Sequence, residues 1–343
     1  MKKLLNTLYV TSPDTYLALD GENIVVRKEE QEVIRLPLHN LEGIVAFGYT
    51  GASPALMGAC ARQNIALCFM TPRGRFLARV VGEVRGNVLL RKHQYRVSDD
   101  PALSLEVARH MITGKLFNSR WVLERATRDH GLRLDTDKLK DASLALRSAM
   151  AAAAACDNLE ALRGVEGEGA ARYFGVLDDL ILQQKENFIF TGRNRRPPLD
   201  KVNALLSFVY TLLANETSSA LEAVGLDPYV GFLHRDRPGR VSLALDVMEE
   251  LRPVMADRFV LSLINRREVN HSGFSVQESG AVIMDDDTRK VVLSAWQARK
   301  QETITHPFLG EKMPWGLLPH LQSMLLARYL RGDLDAYPTF LWK

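Results

Sequence analysis

Short runs of apolar and β-branched residues open the chain, and a helical periodicity replaces them near residue 100. Leu8–Val10, Tyr16–Leu19, Ile24–Val26 and Glu32–Leu36 read as strands, separated by turns at Pro13-Asp14, Asp20-Gly21 and Lys28-Glu29-Glu30. Leu41–Phe47 predicts another strand, Ser53–Gln63 a short helix and Ala66–Phe69 a buried strand. Phe76–Val81 follows the turn Pro72–Arg75. Leu89–Asp100 is polar and reads as a connector. It ends in Asp99-Asp100-Pro101, a helix start with acidic residues ahead of a first-turn proline. Beyond it the pattern predicts helices over Ala102–His130, Thr136–Cys156, Leu159–Gln184, Val202–Leu213, Ser218–Val224 and Trp315–Arg331. Val241–Asn270 reads as a helix broken at Pro253. Phe274–Met284 and Lys290–Trp296 flank Asp285–Thr288, which predicts a hairpin with a solvent-exposed turn. The fold class is α+β. A small N-terminal β-rich domain (1–90) leads through a linker (91–100) into a larger all-α domain (101–343) with a short β-hairpin insertion.

Composition narrows the class without naming a function. With 343 residues, 46% hydrophobic and 25% charged, the chain has material for a sizeable core and two domains. The net charge of +3 is too small to indicate a polyanion partner unless basic residues cluster. Cys60, Cys68 and Cys156 form no CxxC pair, so packing roles and a reducing cytoplasm are expected. The apolar start at Leu4-Leu5 breaks at Asn6-Thr7, and no apolar run reaches membrane-spanning length. The expectation is a soluble cytoplasmic protein with no membrane partner.

Candidate chemistry lies in four segments. In Leu162–Phe174, Glu166 and Glu168 sit among glycines at what reads as a helix start, and a solvated first-turn glutamate is the competing reading. In Gly225–Arg237, His234 ends an apolar run and is followed by Arg235, Arg237 and Arg240, an anion-attracting rim; a packed core histidine is the alternative. In Ser242–Pro253, Asp246 and Glu249 share a helical face, where like charges repel unless a cation or an arginine such as Arg252 or Arg163 lies between them. One imidazole and several carboxylates, with no thiolate nearby and no HExxH motif, make a hard ligand set suited to Mg²⁺ or Mn²⁺. In Phe190–Leu206, Arg193, Arg195, Arg196 and Lys201 form the densest basic cluster. It reads as a phosphate-contacting loop or as a solvated approach to the next helix.

The motifs GVEGEGAARYF, RNRRPPLDKVNALLSFVYTLL, GLDPYVGFLH and LALDVMEELRP occur in this order. Together with HNLEGIVAFG, PRGRFLARV, HPFLGEKMPW and LARYLRGDLDAYPTF, they resemble the CRISPR-associated integrase family, the first-numbered protein of the Cas adaptation pair. The overall look resembles the subtype I-C branch. The resemblance implies a catalytic helical domain, an N-terminal β domain for dimerisation and DNA positioning, and a homodimer. It also implies a complex with the small second CRISPR adaptation protein. The implied activity is insertion of short foreign double-stranded DNA segments, the spacers, into a repeat array by 3′-hydroxyl attack on a phosphodiester. It implies Glu166, His234 and Glu249 as catalytic metal ligands, Asp246 as a supporting acid, and Arg237 and Asn203 near the site. Glu166 is preferred over Glu168 because the family pattern has the glutamate after a hydrophobic residue and before glycine. Arg193, Arg195, Arg196, Lys201, Arg235 and Arg237 are the expected DNA contacts. A plain metal-dependent nuclease and a non-catalytic DNA-binding scaffold remain the rival readings.

Overall fold

A computed structural model describes residues 6–12, 14–72, 74–82 and 88–343. Met1–Leu5, Pro13 of the first turn and Arg73 of the fourth lie outside the described residues. The chain divides into two compact units. One comprises Met1–Arg85, Met284–Glu302 and Pro314–Leu317; the other comprises Gly86–Ile283, Thr303–Met313 and Leu318–Lys343.

In the first unit β1 (Thr7–Val10), β5 (Gly43–Phe47), β6 (Ala66–Met70) and β7 (Phe76–Val80) form a sheet in that order. β1, β5 and β6 run parallel, and β7 closes the edge antiparallel. A parallel step needs a crossover, and α1 (Pro54–Gln63) supplies it between β5 and β6. Ser53 caps α1 by accepting from Leu56 N–H, Pro54 opens the first turn, and Asn64 ends it in the left-handed region at φ 55°. β2 (Thr15–Asp20), β3 (Asn23–Lys28) and β4 (Gln31–Pro37) make an antiparallel meander. Alternation points Leu17, Ile24 and Val26 into a core shared with Ile44, Leu56, Cys60 and Leu67.

Met284–Glu302, late in the sequence, also belongs to this unit, whereas Phe274–Ile283 just before it belongs to the other. β8 (Phe274–Val276) and β9 (Val282–Met284) form a hairpin, but the expected return strand Lys290–Trp296 is instead part of helix α9 (Asp286–Gln301). Asp285 is not in a hairpin turn. Its side chain accepts from Thr288 N–H at 2.7 Å as the N-cap, and Asp286 and Asp287 occupy the first turn, where the helix dipole favours acids. Val292, Leu293 and Trp296 are buried along one face.

The second unit is helical. The segment expected as a linker is helix α2 (Val88–Asp99), with Leu90, Gln94 and Val97 buried at helical spacing. Its polar residues hid a sparse inward face. Asp100 caps α3 (Pro101–His130), which packs against α4 (Thr136–Ala155) and α5 (Leu159–Phe174). α5 ends at Gly175, and Leu177–Leu180 is a separate 3₁₀ turn, so the helix expected to reach Gln184 is shorter. α6 (Lys201–Ala223) is continuous across the expected break. There the buried Thr217 hydroxyl donates to Leu213 O at 2.8 Å, so its polar atom is satisfied within the helix. The break at Pro253 takes the form of a π-helical turn, Arg252–Asp257, between α7 (Ser242–Glu249) and α8 (Arg258–Asn265). β10 (Thr303–Thr305), β11 (Lys312–Pro314) and α10 (Leu318–Leu330) complete the chain. Among the described residues, no helix is long and apolar enough to cross a membrane. All three cysteines are free and buried, and burial pushes the thiols of Cys60 and Cys68 up to about 11 and about 12.

Candidate metal centre

The loop that carries His234 is fixed from beneath by α2. Gln94 is fully buried. Its amide nitrogen donates to the carbonyls of Asp227 and Val230, both at 2.8 Å, and its oxygen accepts from Asp227 N–H at 2.9 Å. Ser98 donates to Gly231 O at 2.7 Å. The carboxylate of Asp246, on α7, accepts from the main-chain N–H groups of Phe232, Leu233 and His234 at 2.6, 3.0 and 3.0 Å. Gly231 permits this approach, because a Cβ there would stand 2.6 Å from Asp246 Oδ2.

Asp246 also lies 2.5 Å from His234 Nδ1. A carboxylate only accepts, so Nδ1 carries the proton and Nε2 presents its lone pair outward. This is the carboxylate–imidazole arrangement that orients histidine ligands. Nε2 is 3.9 Å from Glu249 Oε1, one turn further along α7.

Glu249 is nearly inaccessible, with its side chain 3% exposed. Burial alone would raise its carboxyl, but Arg252 and Lys115 outweigh that and hold it below the usual carboxylate range. Arg252 Nη1 is 2.9 Å from Oε1, and Lys115 Nζ is 2.8 Å from Oε2. Lys115, on α3, also bonds Glu166 on α5. Burial pulls the Lys115 ammonium down, and its two glutamates more than offset this, leaving it above its ordinary value.

Glu166, His234, Asp246 and Glu249 are thus brought into one neighbourhood, and the expected repulsion between carboxylates is relieved by Lys115 and Arg252. Arg163 takes no part in that relief; it holds Leu233 O and Glu160. As they stand, no three ligand-type side chains among the described residues converge closely enough to hold a metal ion. The cation between Glu166 and Glu249 is the lysine. Glu166 lies mid-helix and not at a helix start, because Asn158 caps α5 by accepting from Ala161 N–H. Gly169 on the same helix packs against Leu116, leaving no room for a side chain. Glu168 is 72% exposed and pairs with Arg172.

The basic residues divide into two kinds. Arg193 is half-buried and donates to Asn203 Oδ1 at 2.6 Å and Ser207 Oγ at 3.2 Å, while Lys201 donates to Asn187 O at 2.9 Å. Asn203, fully buried, also donates to Gly192 O and Asp200 Oδ2. These three residues build the loop. Arg195, Arg196 and Arg237 are exposed, as is Arg235, which pairs with Glu160. A cavity of about 510 Å³ opens beside Lys115, Glu166 and Arg252 and extends to Arg193, Tyr210 and Asp257. Tyr210 donates to Asp257 Oδ1 at 2.5 Å, and burial pushes the Asp257 carboxyl up to about 6.

Lys115 and Gln94 were not anticipated from the sequence. Lys115 continues the buried stripe of Val107, Met111 and Ser119 on α3. A lysine in such a stripe signals a buried anionic partner.

Similarity to known proteins agrees with the motifs. The family model described as CRISPR associated protein Cas1 matches residues 8–298. The chain is 51% identical over 343 residues to a CRISPR-associated endonuclease Cas1 of Chlorobaculum tepidum, covering all of both chains. It is 53% identical over 350 residues to one of Rhodospirillum rubrum, again covering all of both. Among solved structures, a casposase bound to integration product superposes with a TM-score of 0.83 at 22% identity, over 98% of this chain and 94% of the other. A Cas1 protein of Thermotoga maritima gives 0.81 at 22% identity, over 97% and 99%. With full-length identity above half and a family model that matches most of its residues, the chain belongs to the Cas1 family of CRISPR-associated proteins.

Proposed function

We propose that this chain is a metal-dependent DNA endonuclease and integrase. In this reading it inserts short foreign DNA segments into a CRISPR repeat array, as a homodimer working with the small second adaptation protein, and it belongs to the subtype I-C branch. The endonuclease names of full-length relatives support the enzymatic part. The observation that carries the site assignment is the meeting of two carboxylates from α5 and α7 on one buried cation, with an oriented imidazole beside them. The donors are hard oxygen and nitrogen atoms, which fit Mg²⁺ or Mn²⁺, and the space between the carboxylates already accommodates a positive charge.

Glu166, Glu249 and His234 Nε2 would hold the ion. Once bound, it supplies Lewis-acid polarisation of the scissile phosphate and stabilises charge on the attacking and leaving oxygens. Asp246 keeps the imidazole in the tautomer that exposes Nε2. Arg252 keeps Glu249 ionised. Arg195, Arg196 and Arg237, exposed around the loops, would take backbone phosphates and set the strand's register, with Arg235 joining them when it leaves Glu160.

The test is strand transfer. Labelled duplex with free 3′-hydroxyls is mixed with a supercoiled repeat plasmid, Mn²⁺ and the small partner. Wild type is expected to join label to plasmid and His234→Ala to join none. Nicking without joining would favour a plain nuclease. Equal joining by His234→Ala would overturn the site assignment.

A further inference from the structure

Glu249 sits where its own helix gives the backbone least support. It is the last residue of the eight-residue α7, and Glu250 is the C-cap. Pro253, four residues on, has no N–H to give to Glu249 O, and the chain passes at once into the π turn Arg252–Asp257. Local hydrogen bonding therefore leaves the carrier of this carboxylate underdetermined, and contacts from elsewhere have to fix it.

Those contacts converge on Glu250, which is fully buried and accepts through both carboxylate oxygens. Oε1 accepts from Gln322 Nε2 at 2.8 Å and from the Tyr337 hydroxyl, and Oε2 accepts from Phe340 N–H at 2.8 Å. Its main-chain carbonyl, at the helix end, accepts from Asn118 Nδ2 at 2.6 Å. Asn118 also donates to Phe340 O at 2.8 Å and accepts from Trp342 N–H at 2.9 Å. Thr339 donates to His110 O, and a Cβ on Gly114 would collide with Thr339 Cγ2 and come within 3.0 Å of Glu250 Cβ. His110, Gly114, Asn118 and Arg125 thus line one face of α3, along which Tyr337–Trp342 lies as a strap. The Trp342 ring meets Arg125 at 3.9 Å and Arg258, the first residue of α8, at 4.2 Å. The strap therefore grips the chain on both sides of the π turn. The donors to the Glu250 carboxylate are neutral, and burying an acid among neutral groups is a poor route to stability. What such a network supplies is a fixed geometry.

We propose that Glu250 is a positioning residue for the metal centre: with Asn118 and the strap Tyr337–Trp342, it holds the Glu249 carboxylate where the ion is taken up. Lys115 stands one residue from Gly114 and three from Asn118, so the strap fixes both partners of the Lys115–Glu249 ion pair. The proposal rests on the reading of Glu249 as a ligand of Mg²⁺ or Mn²⁺.

Calorimetry reads Mn²⁺ affinity in Glu250→Gln, Asn118→Ala and Tyr337→Phe, at a temperature where melting curves show each variant folded. Fluorescence anisotropy reads affinity for duplex DNA, and strand transfer is followed in parallel. Glu250→Gln keeps the volume of the side chain, but whichever way its amide turns it sets an NH₂ group against at least one donor. Glu250→Gln and Asn118→Ala are each expected to weaken Mn²⁺ binding about tenfold, the scale for losing a partner that orients a metal ligand. Tyr337→Phe is expected to weaken it less, because Gln322 still donates to the same oxygen. DNA affinity is expected to stay at the wild-type level, and joining to fall with Mn²⁺ affinity and recover as Mn²⁺ is raised. Leu139→Ala, at a buried leucine of α4, lowers the midpoint by a route of its own and is expected to leave Mn²⁺ affinity unchanged. Unchanged Mn²⁺ affinity in the folded strap variants would overturn the proposal. So would an equal loss in Leu139→Ala, which would make the effect one of general stability. Glu249→Ala tests the underlying reading separately: if wild type binds Mn²⁺ no better than Glu249→Ala does, Glu249 is not a ligand and the proposal falls with that assignment.

Discussion

Lys115→Met removes the ammonium that stands between Glu166 and Glu249 while keeping a side chain of similar length in the α3 stripe. Stripping one partner from a buried ion pair costs about 3–5 kcal/mol, because the other charge stays buried and unanswered. Two features place this case at the lower end, about 3 kcal/mol. Arg252 still faces Glu249 at 2.9 Å, and the Glu166 side chain keeps 26% of its exposure, so water shares its charge. In metal-free buffer the variant should therefore melt about 6–12 °C below wild type, at roughly 2–4 °C per kcal/mol for a unit of this size. Saturating manganese should close that gap. In wild type the ion must displace the ammonium before it reaches both carboxylates; in the variant it meets them unpaired. An advantage of about 3 kcal/mol corresponds to about a hundredfold tighter binding. Calorimetric titration of Mn²⁺ into both proteins, with melting curves at several Mn²⁺ concentrations, reads both effects without any assay of activity. Equal metal-free midpoints together with equal Mn²⁺ affinities would refute the idea that Lys115 occupies the ion's place.

Gly231→Ala puts a methyl 2.6 Å from Asp246 Oδ2. The expected outcome is a lowered midpoint and loss of strand transfer together, and unaltered joining would mean the loop gives way without moving His234. Gln94→Leu leaves the carbonyls of Asp227 and Val230 and the N–H of Asp227 without their partner, at about 1–3 kcal/mol for each buried group. Faster amide exchange across 225–234 would show the loop released, whereas unchanged protection would show that α2 does not restrain it. Asp257→Asn tests a pH effect. The folded-state carboxyl of Asp257 titrates at about 6 against an ordinary 3.8, so its neutral form is favoured on folding. That contribution is complete below about pH 4 and is lost as pH rises through 6. It amounts to at most about 3 kcal/mol. The asparagine variant should gain on wild type in thermal midpoint at pH 8 and lose that gain by pH 4. A difference that does not vary with pH would sink this reading.

Strands β2 and β3 were readable because their apolar and β-branched runs bring alternate residues, Leu17, Ile24 and Val26, to one core. The long helices α3 and α4 were readable from their apolar period and the Asp100–Pro101 start. What escaped were elements whose identity depends on contacts distant in sequence. α2 was missed because its inward face is sparse and includes Gln94, whose amide makes sense only against the 225–234 loop. α9 was missed because Asp285-Asp286-Asp287-Thr288 suits a turn as well as a helix cap, and the buried Trp296 decides between them. In the candidate site, the acids and the histidine were legible as motifs. Their neutralisation by Lys115 was not, since α3 lies about fifty residues before Glu166. Arg193 and Lys201 look like phosphate contacts in the sequence, yet Asn203 and Asn187 engage them inside the loop.

The membership of α9 in the first unit governs the order in which a nascent chain can finish its parts. Translation delivers the strands first, but Val292, Leu293 and Trp296 emerge some two hundred residues later, after most of the helical unit has left the ribosome. Until then the β unit lacks a piece of its interior, and its completion depends on contacts of high sequence separation, which close slowly. A fragment ending near residue 90 therefore ends before the unit is whole, and any expression strategy that isolates the β portion has to supply α9 with it.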